Sequence, residues 1–507
     1  MLIIEKNICQ EDYVKISAMP DWAQPAFKGM TQLNRVQSKV YETALLKPDN
    51  LLLCAPTGSG KDIVAVLTIL QQIALYRNPY NGYIDHTAYK ILYMAHSEAV
   101  VVKLVRMLRK TFEDYGIKVG EISEDPSLTW VQIEESQIMV TTPEKWDTIT
   151  RKIQNHRTYT EQLKLIVIDD CRFLSDNRGC VLESIMTRTI MHTKNCIRLV
   201  GFSAAFPNYV DVARFLHVDV KNGIFTFDDC YRHVPITQRC IGVRGTTEIE
   251  MNRVCCEKVM SVVGKHPVIV FVQSMEEIVK TARAIIDVAV TNDTISSFLK
   301  EDSASCEILC TRTDLVNSSD LKHLLQYGFA IHHSSMTRTD QQLVEDLFAN
   351  GHVQVLVSDK SFAWGVNLSA HTVIIKGTQI YNPEKGVWTE LSPLDVMQML
   401  GRAGRPQYDS YAEGIILTGH NELKYYLSLM KQELPIESQF NSKLADQLNA
   451  EIVLGTVQNV TEACLWVRHS YMYDCMLTDP SSYGLGPDVL AKDIENNIED
   501  LVSMLLL

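Results

Sequence analysis

Residues 51–62 read LLLCAPTGSGKD, an apolar run that breaks into a glycine-rich turn ending in lysine. Leu51, Leu52 and Leu53 have the character of a buried strand, and the stretch from Asp62 to Leu70 has that of a helix. A strand, a turn built on Pro56, Gly58 and Gly60, and a helix together form the context of a phosphate-binding loop. In such a loop the backbone N–H groups of residues such as Ala55, Thr57 and Ser59 point inward at a helix N-terminus, where they meet phosphate oxygens. Lys61 adds a point charge for the outer phosphates. The next residue is expected to be Ser or Thr, whose hydroxyl holds magnesium. Here it is Asp62.

The rest of the chain fits a large α/β protein. At 507 residues it is too long for one ordinary core. Hydrophobic residues make up 46% and charged residues 21%, a globular composition without a membrane-length apolar stretch. The N-terminus, MLIIEKNICQED, has neither the basic region nor the cleavage site of a secretory signal. The 13 cysteines are scattered without zinc-ligand spacing, which fits reduced thiols and no disulfide partner. Net charge is −13, from 48 basic and 61 acidic residues, which argues against non-specific coating of nucleic acid. It leaves room for a motor that lines one channel with cations.

Apolar strand-like runs alternate with helical patterns twice over. The first series covers 51–54, 90–95, 137–141, 165–168 and 197–202. The second covers 268–272, 329–331, 353–357, 372–375 and 414–417. Such alternation predicts two parallel-sheet domains in tandem. The expected boundaries are an N-terminal extension at 1–24, a first domain at 25–230, a second at 231–442 and a helical third at 443–507.

Two further motifs carry chemistry. The segment LIVIDDCR is an apolar strand ending in two acids. Asp169 is placed to hold magnesium, as Asp62 is, and Asp170 to orient an attacking water. In LGRAGRPQYD, preceded by Gln398, Arg402 and Arg405 are read as lying three apart on a helical turn and projecting to one side. Arginines so placed stabilise charge on a transferring phosphoryl group.

With Ser203-Ala204-Ala205 between them, these motifs resemble a superfamily-two DExH-box helicase. The stretches LNRVQSKVY, TPEKWD, FPNYVDVARFL, YGFAIHH, LVEDLFA, AWGVNLSAHTVIIKGT and QMLGRAGRPQYD extend the match from about residue 18 to about 485. Together they resemble the N-terminal cassette of the large tandem-cassette spliceosomal RNA helicases. A helicase of the activating signal cointegrator complex shares much of this pattern. The resemblance implies two RecA-like domains and a partial winged-helix domain, ATP and Mg2+ as cofactors, a nuclear location, and RNA, small nuclear RNA in particular, as partner beside spliceosomal proteins. It implies that Gln37 reads adenine between the lobes, and that Thr142, Pro143 and Lys145 touch RNA. It also implies that residues 378–391 form a strand-separating hairpin in which Tyr381 and Trp388 flank a Pro-Glu-Lys-Gly turn and could stack on a splayed base.

Several departures from the family fall on the chemistry. Asp62 puts a negative charge near the triphosphate, where each charge pair at about 5 Å is worth roughly 3 kcal/mol at an effective dielectric of about 20. Weaker ATP binding is expected. Asp170 replaces glutamate, Arg172 replaces a histidine, and Ala205 replaces threonine, so both sides of one relay have changed. His96 replaces proline, Asp359 and Lys360 interrupt a Thr-Ala motif, and Gln273, Met275 and Glu276 replace a His-Ser-Arg-Lys pattern around Ser274. The expectation is an ATP- and RNA-binding cassette with impaired hydrolysis and unwinding. The alternative is a non-catalytic pseudo-helicase that binds RNA or protein. The chain is also expected to stop partway through the winged helix, on an unpartnered apolar run, LVSMLLL, that promotes association.

Overall fold

The structure is a computed structural model that describes residues 13–122, 126–152, 162–193, 197–244, 248–299, 303–313, 316–366, 368–382, 386–486 and 491–506. The chain divides into two compact units. One takes the described residues up to Tyr231 together with those from Pro435 onward, and the other takes Arg232–Leu434.

The first unit is built on β1 (Leu51–Cys54), β2 (Lys90–Met94), β3 (Val119–Glu121), β4 (Ile138–Thr141), β5 (Leu163–Ile168), β6 (Arg198–Ser203) and β7 (Ile224–Thr226). They form one parallel sheet in the order β3-β4-β2-β5-β6-β1-β7. The central strands are buried along their whole length, because helices cover both faces. Their near-continuous apolar runs follow from that burial. β3 and β7 lie at the edges, have three residues each, and escaped the sequence reading.

The second unit contains β8 (Ile236–Val243), β9 (Val268–Phe271), β10 (Phe329–His332), β11 (Val355–Ser358), β12 (Thr372–Lys376), β13 (Gln379–Asn382), β14 (Val387–Glu390) and β15 (Ala412–Gly419). Six of these form a second parallel sheet, β10-β11-β9-β12-β15-β8. β13 and β14 form a separate antiparallel pair. β8 was also missed: it is an edge strand whose residues are mostly half-buried, so it lacks a long apolar run.

The helical segment after residue 435 packs within the first unit. Phe440, Leu448, Trp466, Met472, Ile498 and Val502 share one core with Cys180 of the first sheet domain. This corrects the expectation of an unpartnered apolar end. The terminal run closes an amphipathic helix, Ala491–Leu506, whose Ile494, Ile498 and Val502 are buried. Met504 remains exposed. Among the described residues no helix is long and apolar enough to cross a membrane, and the cysteines, from Cys54 to Cys475, are free thiols.

Candidate nucleotide and nucleic-acid sites

β1, β6 and β5 are neighbours, so the loops leaving their carboxyl ends converge. That edge of an open α/β sheet is where ligands bind. The loop after β1 turns on Gly58 and Gly60, both left-handed at φ 83° and 82°. Gly60 caps the helix Lys61–Leu75, and a Cβ there would sit 2.3 Å from Gln37 Nε2. Only glycine meets both demands.

Gln37 is buried beneath this loop. It forms a capping box with Asn34: each backbone N–H donates to the other's side chain at 2.9 Å. Asn34 Nδ2 then donates to Ser59 O at 2.8 Å, and Gln37 Nε2 to Gly60 O at 3.1 Å. Asn34 was missed as a positioning residue, although Asn-x-x-Gln before an apolar helix is a readable signal. Lys61 Nζ donates to Ala55 O at 2.8 Å and Pro56 O at 3.3 Å, folding back across the loop. Burial holds its pKa below the usual lysine value, against the pull of Asp170. Ser59 Oγ is buried without a hydrogen-bond partner.

Asp62 stands half-exposed on the first helical turn, 3.7 Å from Lys103 Nζ. Asp169 follows β5, accepts a hydrogen bond from the Tyr93 hydroxyl at 3.2 Å, and lies 3.7 Å from His96 Nδ1. Burial, then the charges of Asp62 and Asp170, push its carboxyl up to about 7. Asp170 differs. Arg172 donates to it three times: N to Oδ1 at 3.1 Å, Nε to Oδ1 at 3.1 Å, and Nη2 to Oδ2 at 2.6 Å. Both residues are buried. Burial raises the carboxyl's pKa, but the Arg172 charge and hydrogen bonds outweigh it and hold Asp170 ionised below the usual range. Three of its roughly four acceptor sites are committed. Arg172 is thus committed to Asp170, and Ser203 Oγ is buried without a hydrogen-bond partner.

In the second unit Gln398 lies half-buried on the helix Pro393–Leu400. That helix ends before the arginines, so the expected helical turn carrying both is corrected. Gly401 caps it, and Ala403 bridges to Ala370 instead. The two side chains diverge. Arg402 donates to Ala363 O through Nε at 3.0 Å and through Nη2, and burial lowers its pKa to about 10. Arg405 forks onto Asp409, Nε to Oδ2 at 3.0 Å and Nη2 to Oδ1 at 2.8 Å. Asp359 and Lys360 both have partners, Ser361 and Asp395 respectively.

Thr142 is buried, and its hydroxyl accepts from Lys145 N at 3.4 Å. Pro143 opens the helix Pro143–Lys152, and Lys145 Nζ donates to Glu98 at 2.8 Å. This helix is braced from behind. Arg188 Nη2 donates to Asp147 at 3.0 Å while its Nη1 donates to Glu451 at 2.7 Å. Neither Arg188 nor Glu451 was singled out in the sequence. Tyr381 and Trp388 are paired directly across β13 and β14, edge to face at 5.7 Å, and are 55% and 66% exposed. The Pro-Glu-Lys part of the expected turn, residues 383–385, lies outside the described residues.

Comparison with known proteins agrees with this layout. Residues 34–212 match the DEAD/DEAH box helicase family, 288–407 the helicase conserved C-terminal domain, and 437–506 a winged helix-turn-helix domain. The chain thus carries a DEAD/DEAH box helicase domain, a helicase conserved C-terminal domain and a winged helix-turn-helix domain. Its relatives include the DExH-box ATP-dependent RNA helicase DExH12 of Arabidopsis thaliana, 60% identical over 97% of this chain and 23% of that protein. The U5 small nuclear ribonucleoprotein 200 kDa helicase of Drosophila melanogaster is 50% identical over 97% of the chain and 23% of the relative. Pre-mRNA-splicing factor brr2 of Schizosaccharomyces pombe is 51% identical over 94% and 22%. The chain therefore spans about a quarter of the length of these relatives.

The loop after β1 fits a nucleoside triphosphate. Its glycines are in the conformations that open a phosphate cradle, and the partners of Lys61 among the described residues are two carbonyls. The corner bounded by Asp62 and Asp169 fits a divalent cation, since their mutual repulsion is what a positive charge relieves.

Proposed function

We propose that this chain is an ATP- and RNA-binding helicase cassette of the spliceosomal type, acting in the nucleus, whose hydrolysis is slow. One observation carries the last clause: Asp170, the carboxylate placed to orient water, is clamped by Arg172. A base must be within hydrogen-bond reach of the proton that it takes, and its acceptor sites must be free. Asp170 is also one methylene shorter than the glutamate that the family resemblance leads one to expect there, and a misplacement of about 1 Å costs on the order of 100-fold.

In this reading residues 55–60 bind phosphates through backbone N–H groups, and Lys61 leaves Ala55 O and Pro56 O to neutralise the outer phosphates. Gln37 supports the loop and reads the base. Arg402 and Arg405 stabilise charge on the transferring group once they release Ala363 O and Asp409. Asp62 and Asp169 would hold Mg2+, which neutralises phosphate charge when bound with the nucleotide. Thr142, Pro143 and Lys145 contact RNA, with Tyr381 and Trp388 on a strand-separating hairpin. The relatives' names point to small nuclear RNA and to spliceosomal partners.

The same clamp supports a second reading, a pseudo-helicase that binds without turning over. Two measurements on the purified chain separate them. ATP should raise the melting temperature, and Lys61→Ala should abolish that shift. Equal shifts in both proteins would remove the nucleotide site. RNA-stimulated ATP turnover above background supports the slow motor, and its absence despite ATP binding supports the pseudo-helicase.

A further inference from the structure

His266, His371 and Asp409 come from distant parts of the sequence and each stands just before a strand: β9 begins at Val268, β12 at Thr372 and β15 at Ala412. These strands are consecutive and parallel in the second sheet. Their amino ends therefore bring the three side chains to one edge. One ring nitrogen of each histidine and one carboxylate oxygen of Asp409 lie within 4.8 Å of one another. The imidazoles stack at 3.7 Å and 10°, and Tyr411 packs edge-on against His371 at 4.8 Å.

The chemistry of each donor suits a metal. His371 is 3% exposed; its Nδ1 pairs with Thr372 Oγ1 at 3.0 Å, while its buried Nε2 has no hydrogen-bond partner. A buried polar atom left unpaired is costly, and an ion would satisfy it. Where Nδ1–H donates to Thr372 Oγ1, a lone pair is left on Nε2. Asp409 Oδ2 accepts twice from Arg405, but Oδ1 accepts only once and keeps a lone pair.

We propose that His266, His371 and Asp409 form a site for a divalent transition metal, zinc in particular. Two imidazoles and one carboxylate are a zinc set with an open fourth position, whereas magnesium and calcium take all-oxygen shells. Binding requires the stacked rings to splay so that each nitrogen comes about 2 Å from the ion. The ion would share Asp409 with Arg405, so it would weaken the hold on one arginine of the helicase motif.

The test uses the full chain, stripped with chelator, in excess Mg2+ to fill carboxylate sites. Co2+ and then Zn2+ are titrated into wild type, His266→Ala and Asp409→Asn. His266 is half-exposed, so its variant leaves the core intact, and circular dichroism melts check both variants. Expected are visible ligand-field absorption of Co2+ in wild type only, its displacement by Zn2+, and zinc affinity at least about 10-fold weaker in each variant. Equal zinc stoichiometry and affinity in wild type and folded His266→Ala would overturn the site and leave a neutral histidine stack.

Discussion

Arg172 Nη2 lies 2.6 Å from Asp170 Oδ2, in a buried pair two residues apart at the end of the acidic strand β5. Breaking one side of such a pair leaves an uncompensated charge. Arg172→Ala should lower stability by about 3 kcal/mol in urea unfolding, and Asp170→Ala/Arg172→Ala by less. Freeing and lengthening the carboxylate should restore chemistry. The triple change Asp62→Thr, Asp170→Glu and Arg172→His should raise RNA-stimulated turnover by about 100-fold or more. An unchanged rate in a folded triple variant would mean that the clamp is not what limits hydrolysis.

The docking of the C-terminal helices onto the first sheet domain should depend on pH. Glu183 accepts from Ser438 Oγ at 2.6 Å and from Met472 N at 2.7 Å, and burial pushes its carboxyl up to about 8. Asp474 is pushed up to about 7, also by burial. A carboxyl with a raised folded-state pKa binds its proton more tightly in the native state. Its contribution is complete below the unfolded value and is lost as pH rises through the folded one, at up to about 1.4 kcal/mol per pH unit. Melting temperature should fall between pH values of about 5 and about 8, and Glu183→Gln should flatten part of that fall, the rest coming from Asp474 and Asp169. An identical slope in the variant would exclude Glu183 as the source.

The terminal helix should prove structural. Val502 is fully buried in the core that contains Trp466. Val502→Asp should cost about 3 kcal/mol or more, because it buries a charge without a partner. Deletion after Gly484 should promote light scattering, since it uncovers Trp466 and Leu448. A soluble, equally stable truncation would contradict this packing.

RNA binding should outlast ATP turnover and should be sequence-tolerant. Anisotropy titrations of single-stranded RNA should weaken by more than about 10-fold between about 50 mM and about 200 mM salt, through counterion release. Lys145→Ala should reduce the salt slope by about one. Salt-independent binding, or none at either salt, would remove the backbone-contact reading.

What could be read without the fold follows from where the determining forces are local. The loop at 55–61 is legible because its glycines and lysine act through neighbours in the chain. The central strands are legible because burial on both faces demands unbroken apolar runs. β3, β7 and β8 were invisible: they are edge strands, short or half-buried, held by their neighbours' hydrogen bonds. The sequence alone determined the α/β class, the tandem sheets and the list of altered motif letters. Tertiary structure decided what those letters do. Arg172 could have faced Ser203 or Asp170, and the turn Cys171–Ser175 sets it on Asp170. The run at 501–507 reads as an exposed apolar end until Val502 meets the Trp466 core. His266, His371 and Asp409 have no sequence relationship, and only the neighbouring positions of β9, β12 and β15 bring them together. Local propensity is written into adjacent residues, but the partner of a buried charge or ring depends on which strands the chain has laid side by side.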